Sequence, residues 1–323
     1  LSSLAYFAPL LALALSFGTL AWLLGDSHRL LVLDLPNERS LHAAPVPRTG
    51  GLGLLAGIVV GWLIAAPPGA WLILAGALVL AGVSFFDDLR GLPVLVRLSV
   101  QLAVSGALVA WHWDAFPGAA WAVAAVLAIA WMCNLYNFMD GADGLAGGMA
   151  VAGFGAYAIA AGLGGALELA ALCAAITASA LAFLAFNFPP ARIFMGDVGS
   201  VPLGFLAAAL GLLGWQQGLW PAWFPVLAFS PFVVDTTVTL ARRALRGERV
   251  WQAHKEHYYQ RVVQLGAGHR GTALGEYALM LAAGASALGL MAAPAPVQWA
   301  GLGVWVILYA AVMLWIDRLW RSR

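Results

Sequence analysis

Charge is what this chain has least of. Asp, Glu, Lys and Arg make up 10% of its 323 residues, against roughly 25% in an ordinary soluble domain. So few ionisable side chains cannot clothe a globular surface in water, and a soluble fold is excluded. Polar linkers are lacking too: apolar runs follow one another from end to end, so residues 1–323 read as a single domain. Cysteine is almost absent. Cys133 and Cys173 both lie inside apolar stretches with no His or Cys beside them, which excludes a thiolate zinc site and leaves ordinary packing residues.

What the chain has in abundance is apolar length. It is 63% hydrophobic with a mean hydropathy of +0.87, and a crossing of the hydrocarbon core takes about 20 residues. By that measure spans fall near 4–24, 51–66, 69–86, 94–111, 119–136, 145–164, 167–187, 199–215, 221–241, 273–292 and 297–316. The expected fold is an all-α, polytopic membrane bundle of about 11 transmembrane helices. The first run, Leu4 to Leu24, lacks a basic stretch before it and is long enough for a span rather than a cleavable signal. Pro67-Pro68, Pro117-Gly118, Gly164-Gly165 and Pro294 with Pro296 mark the turns between paired helices.

With this division, all 16 Lys and Arg fall in alternate connections: 25–50, 86–97, 187–198, 242–272 and the C-terminal tail. The connections on the opposite side hold only His112, Asp114 and Glu168. The basic side is expected to be cytoplasmic, with the N-terminus outside and the C-terminus inside. It could also hold anionic lipid headgroups.

The chemistry-bearing residues gather on that same side. Asp87 and Asp88 stand where the third span ends. Adjacent carboxylates repel, so the pair is either a solvated helix end, partly protonated, or shared with a cation. Asn134, Asn137 and Asp140 follow at i, i+3 spacing, and Asp140-Gly141 and Asp143-Gly144 break the helix beside their carboxylates. Such a loop suits either a Mg²⁺ site, which takes one or two carboxylates and completes its shell with phosphate and water, or a polar turn. An EF-hand is excluded, since its acidic ladder and final Glu are missing.

Further on, Asp197 lies between glycines after Asn187, Arg192 and Phe194. It either caps the next helix or joins a metal-held diphosphate at that helix start. In the segment 242–272, His254 and His257 point one way if helical, and Arg261 follows one turn later. They suit phosphate oxygens; a zinc site lacks its thiolate ligand, and a solvated basic loop is the plain alternative. Asp235, near the inner end of a span, costs about 2.5–3.5 kcal/mol unless it faces the bundle interior or water, so it is expected to support the site or pair with a base such as Arg97 or Arg242.

These residues, in this order, resemble the polyprenyl-phosphate N-acetylhexosamine-1-phosphate transferase superfamily. The resemblance runs from Asp34-Leu35-Pro36-Asn37-Glu38-Arg39-Ser40-Leu41-His42 and Pro45-Val46-Pro47-Arg48-Thr49-Gly50-Gly51 to Phe194-Met195-Gly196-Asp197-x-Gly199-Ser200, through the Asp87-Asp88 pair and Asn137-x-x-Asp140-Gly-x-Asp143-Gly. It implies that Asp197 is a Mg²⁺ ligand and that Asp87 and Asp88 are catalytic carboxylates that bind metal or activate the lipid phosphate. It implies that Phe194 stacks on uracil, and that Asn137, Asp140, Asp143 and Asn187 line the nucleotide-sugar cleft beside Asn134, Arg48 and Arg97. His254, His257 and Arg261 would position the diphosphate. Mn²⁺ is a conceivable substitute for Mg²⁺.

Two departures stand out. Arg97 with Gln101 replaces the lysine and glutamine of many members, keeping charge but changing geometry. The His-x-x-His-Tyr-Tyr-Gln form looks more like the branch that begins O-antigen or related surface glycans than the peptidoglycan and GlcNAc-type enzymes.

The implied reaction passes a sugar 1-phosphate from a UDP-N-acetylhexosamine to undecaprenyl phosphate and releases UMP, at the cytoplasmic face of a bacterial inner membrane. An Asp would serve as base or as covalent nucleophile, a homodimer is implied, and no nucleic-acid partner is expected. The rival from another class is a secondary transporter, which needs an internal repeat and ionisable residues near the bilayer midplane; here they crowd one surface.

Overall fold

The computed structural model describes residues 6–25, 32–35, 41, 45–65, 68–250, 252 and 254–323. The chain is nearly all helix. Apolar runs of this length leave backbone N–H and C=O groups with no water to bond, and the helix satisfies them internally. In chain order these are α1 (Ala8–Gly25), α2 (Gly50–Ala65), α3 (Trp71–Arg90), α4 (Val94–Trp111), α5 (Ala119–Phe138), α6 (Leu145–Leu163) and α7 (Leu167–Asn187). There follow α8 (Asp197–Gln216), α9 (Trp223–Ala228), α10 (Ser230–Leu245), α11 (Tyr258–Val262), α12 (Gly268–Met291) and α13 (Ala295–Arg321). Two short strands, β1 (Leu33–Asp34) and β2 (Val46–Pro47), pair antiparallel with Leu33 opposite Pro47.

Among the described residues, nine helical segments are long and apolar enough to cross a membrane, and the chain is a multi-pass membrane protein. Two expected spans fall outside that number. Helix α2 has 16 residues, and 221–241 is not one helix: Phe229, at φ −104° and ψ 13°, separates α9 from α10. The break follows from Pro231, which has no N–H to donate to the Leu227 carbonyl and whose ring crowds that carbonyl, so the chain restarts with the proline in the first turn of α10. A second irregularity joins α11 to α12 through a π-helical turn over Val263–Ala267, where Gly266 takes φ 107°.

Helix α8 is the most buried of the spans, and α3, α5 and α2 pack on it. Helices α1, α2 and α7 form one flank, with α6 against α7; α12 and α13 close the other beside α6 and α9. Exposed Trp111, Trp121 and Trp299 lie at the α4 end and the α5 and α13 starts, a belt of the kind that marks a membrane–water boundary.

At the opposite boundary the ends of α3, α5 and α7 meet the starts of α2, α4 and α8. Gly50 and Gly51 donate to the carbonyls of Phe194 (2.9 Å) and Met195 (2.8 Å), so the approach to α2 is tied to the approach to α8. Close backbone contact holds α8 against α5: a Cβ on Gly204 would lie 2.8 Å from the Cα of Cys133 and closer still to the Met132 carbonyl. Gly204→Val is therefore expected to lose about 1–3 kcal/mol through overpacking, read as a lower unfolding temperature in detergent. Gly106→Val, where a Cβ meets nothing within 4 Å, is expected to leave that temperature nearly unchanged.

Candidate active site at the polar helix ends

The α3 terminus ends at Gly91, whose φ of 68° takes the chain out of the helix while its N–H donates to the Asp87 carbonyl. This leaves two carboxylates pointing different ways. Asp87 is held: its Oδ1 accepts from the Leu92 N–H at 2.6 Å and its Oδ2 from Arg97 Nη1 at 2.7 Å. Asp88 is gripped from the other side by Arg48, which donates to its backbone carbonyl and places Nη1 3.5 Å from Oδ1. Among the described residues, Asp88 Oδ2 is buried with no hydrogen-bond partner.

Helix α8 brings the third carboxylate. Gly196 precedes it at φ 71°, a conformation that a side chain would strain, and a Cβ there would run into the Arg48 carbonyl and sit 3.2 Å from Asp88 Oδ2. Asp197 does not cap the helix as one reading of the sequence allowed. It is the first helical residue; its Oδ1 accepts from Asn137 Nδ2 at 2.7 Å, and its Oδ2 lies 3.7 Å from Arg97. Asn137 also donates to Ser200 (3.0 Å), while Asn134, one turn back, donates to Gln101 of α4 at 2.6 Å. The sequence spacing thus does place both asparagines on the α5 face that meets α4 and α8.

Asp140 lies past the end of α5. Burial pushes its carboxyl well above the usual range, the charges of Asp197 and Asp88 push it further, and the Gly196 N–H only partly opposes them. Asp143 is the clasp of the same loop: it accepts from the Ala191 N–H at 3.0 Å and faces His269 Nδ1 at 3.0 Å. Asn187 joins the clasp, accepting from the Gly144 N–H and donating to the Ile193 carbonyl, both at 2.8 Å. Phe194 is half-buried, and its N–H donates to the Pro47 carbonyl at 2.7 Å. Outward from the carboxylates runs a cavity of about 270 Å³. Its floor is Arg97, Asn134, Asn137 and Asp197; its walls are apolar, among them Leu80, Leu98, Trp131 and Leu240.

The histidine arm is fixed by Asp235, which accepts from the N–H groups of Tyr258 (2.9 Å) and Tyr259 (3.0 Å), from Thr239 (3.0 Å), and faces His257 Nδ1 at 3.3 Å. The expected pairing of Asp235 with Arg97 or Arg242 does not occur, because those arginines are taken by Asp87 and Asp317. His257 stacks between Phe138, at 6.2 Å, and His254, at 4.7 Å. Burial, followed by the charges of His257 and Arg243, pushes His254 down to about 4, so it is neutral near pH 7. Its Nδ1 accepts from the Glu256 N–H at 3.2 Å, which leaves Nε2 as the N–H donor.

With this geometry in view, likeness to known proteins becomes specific. The sequence model of glycosyl transferase family 4 matches residues 70–214, the stretch that carries Asp87, Asp88, Asn137, Asp140 and Asp197. A probable undecaprenyl-phosphate N-acetylglucosaminyl 1-phosphate transferase of Bacillus subtilis (strain 168) is 32% identical over 261 residues, 74% of this chain and 71% of the relative. The chain belongs to this family, the polyprenyl-phosphate N-acetylhexosamine-1-phosphate transferases. Other relatives are the decaprenyl-phosphate N-acetylglucosaminephosphotransferase of Mycobacterium tuberculosis (strain CDC 1551 / Oshkosh), 28% identical over 75% of this chain and 71% of its own, and the undecaprenyl-phosphate alpha-N-acetylglucosaminyl 1-phosphate transferase of Yersinia pestis, 27% identical over 90% and 85%.

In this member of the family, Arg48, Asp87, Asp88, Arg97, Asn134, Asn137, Asp140 and Asp197 converge on one cluster, and Asp143, Asn187 and Phe194 line its loop side. His257 stacks on Phe138 at the end of α5, with His254 behind it. Arg261 does not join it. Its guanidinium is 2.9 Å from Asp317 of α13 and lies over the rings of Tyr258 and Trp320. Residues 36–40 and 42 of the first motif lie outside the described residues. Sequence reasoning missed His269, which besides Asp143 reaches the Leu41 carbonyl at 3.1 Å; its only signal is a polar residue after the Gly266-Ala267-Gly268 break. It also missed Asp317, an acid in an otherwise basic helix end.

The raised carboxyl of Asp140 yields a pH prediction. A folded-state value above the unfolded one of about 3.9 means that folding favours the protonated form and loses stability as pH rises. With chelator present, Asp140→Asn is expected to unfold at a higher temperature than the wild type at pH 8. The difference should shrink as pH falls toward about 4, as followed by differential scanning fluorimetry.

Proposed function

We propose that the chain transfers a sugar 1-phosphate of the N-acetylhexosamine type from a UDP-sugar to undecaprenyl phosphate, giving a lipid-linked diphosphosugar and UMP. The observation that carries the reading is the pairing of Asp88 with Asp197 at the positive start of α8, where Asp197 opens into a groove that is polar at one end and apolar along its length. A polyprenyl phosphate is polar and apolar in the same sense.

The residues fit a divalent cation, expected to be Mg²⁺, held by Asp197 and Asp88. Such an ion takes one or two carboxylates and fills its shell with phosphate and water. When bound, the ion would neutralise the charge that grows on the diphosphate as its bond breaks.

The chain's own groups supply the rest. Arg97 and Arg48 draw anionic phosphate to the carboxylates and keep Asp87 and Asp88 apart. Asp88, rather than the doubly held Asp87, takes the proton of the acceptor phosphate. That oxygen then bonds to the β-phosphorus, and the bond from the β-phosphorus to the bridging oxygen breaks, releasing UMP. His254, neutral with its Nε2–H free, donates to a diphosphate oxygen, and His257 is kept in place by Asp235. Phe194 and Asp143 are assigned to the uridine side.

Eleven crossings with the N-terminus outside and the site in the cytoplasm account for the convergence of alternate helix ends on one face. The His-x-x-His-Tyr-Tyr-Gln form supports an O-antigen or other surface-glycan branch. The relatives' names make UDP-N-acetylglucosamine the first donor to offer, followed by modified N-acetylhexosamines. Purified protein with radiolabelled UDP-sugars and undecaprenyl phosphate is expected to form labelled lipid and UMP with Mg²⁺ and not with chelator. Asp197→Asn is expected to insert normally and to lower turnover by about 10²–10³-fold, the scale of losing one main electrostatic contribution. Full activity in that variant would overturn the metal assignment.

A further inference from the structure

Away from the carboxylate cluster, a second polar cavity of about 330 Å³ opens between the end of α10, the start of α11 and the end of α13. Four arginines line it: Arg242, Arg246, Arg261 and Arg321, against two acids, Glu256 and Asp317. The acids act as hinges for the guanidiniums. Asp317 accepts from Arg242 at 2.6 Å and Arg261 at 2.9 Å, and Glu256 holds Arg246 and Arg243. Positive charge remains in excess. Arg321 makes no ion pair among the described residues, and Arg261, whose side chain is 12% exposed, has a buried Nε with no partner there.

The surroundings give this cavity a direction. Trp320 lines it and lies 5.7 Å from the Arg261 guanidinium. Along α13, exposed Leu314 and Ile307 stand seven and fourteen residues before Arg321 and so on the same helix face, and Leu245 at the end of α10 is 88% exposed. A cluster of guanidiniums therefore sits directly above bare apolar helix surface, at the boundary where a membrane protein meets lipid headgroups. A free anion would use the guanidiniums and leave the apolar face unexplained; a phospholipid uses both.

We infer that this cavity is a binding site for the phosphate of an anionic phospholipid, with its acyl chains lying along the exposed face of α13. Arg261 and Arg242 form the fixed base of the site, and Arg321 and Arg246 its outer rim. Because Asp317 ties α13 to Arg261, one residue turn beyond the histidine arm, an occupied site would also brace the segment 254–262. The site is separate from the donor and acceptor groove, and its test does not depend on the transfer reaction.

The test is native mass spectrometry of the purified chain with phosphatidylglycerol, with phosphatidylcholine of the same acyl chains, and with inorganic phosphate as competitor. Wild type is expected to retain phosphatidylglycerol in preference to phosphatidylcholine. Arg321→Gln and Arg246→Gln, both on exposed side chains, are each expected to weaken retention about five-fold, the effect of one basic residue at an anionic surface. Arg270→Gln removes the same charge from the start of α12 and is expected to leave retention unchanged. Equal retention of the two lipids, or equal loss in the Arg270 variant, would overturn the site. Full displacement by millimolar inorganic phosphate would overturn the lipid assignment in favour of a small anion.

Discussion

Four carboxylates gathered at one membrane face, with two arginines set among them in the described residues, are the constraint on which the rest of this structure depends. Asp87, Asp88, Asp140 and Asp197 repel one another in a poorly solvated place. Arg97 offsets Asp87 and part of Asp197, Arg48 offsets Asp88, and Asn137 lends Asp197 a hydrogen bond. The partial positive charge of the α8 start adds to these. The remaining surplus is negative, and it is what a divalent cation and its phosphate ligands would relieve.

That electrostatic problem explains features that packing alone does not. The approach to α2 is hydrogen-bonded to the approach to α8, which brings Arg48 to Asp88. Gly196 has no side chain because the Arg48 carbonyl and Asp88 Oδ2 occupy the space. The loop after α5 is clasped through Asp143 and Asn187 to the segment before α8, so Asp140 cannot swing into water. The interior of the bundle, by contrast, asks only for small residues at close crossings such as Gly204 against Cys133. It serves as a rigid frame for the polar ends.

Much of this was legible in the sequence. The all-helical membrane bundle followed from apolar length, and the collection of Arg, Asp and Asn on one side followed from placing the helices. Asn134 and Asn137 were readable as a pair because helical periodicity is local. What was not legible depends on distant contacts. Nothing near Arg261 announces that Asp317, 56 residues later, would take it from the site, nor that His269 would secure Asp143 from across the bundle. Asp235 was recognised as needing a partner, but its partners are the backbone N–H groups of Tyr258 and Tyr259, and backbone donors leave no mark in a sequence. The interruption at Phe229 is hidden in an apolar run of spanning length, and Pro231 within it is the one local mark of the break.

On this reading the surplus carboxylates hold one divalent ion through Asp88 and Asp197. Electron paramagnetic resonance titration of Mn²⁺ into metal-free protein tests it without substrate, lipid or turnover. One bound ion per chain in the wild type, lost in the Asp88→Asn/Asp197→Asn double variant and kept in Arg270→Gln, is the predicted result. Undiminished binding in the double variant would place the ion elsewhere and contradict the account.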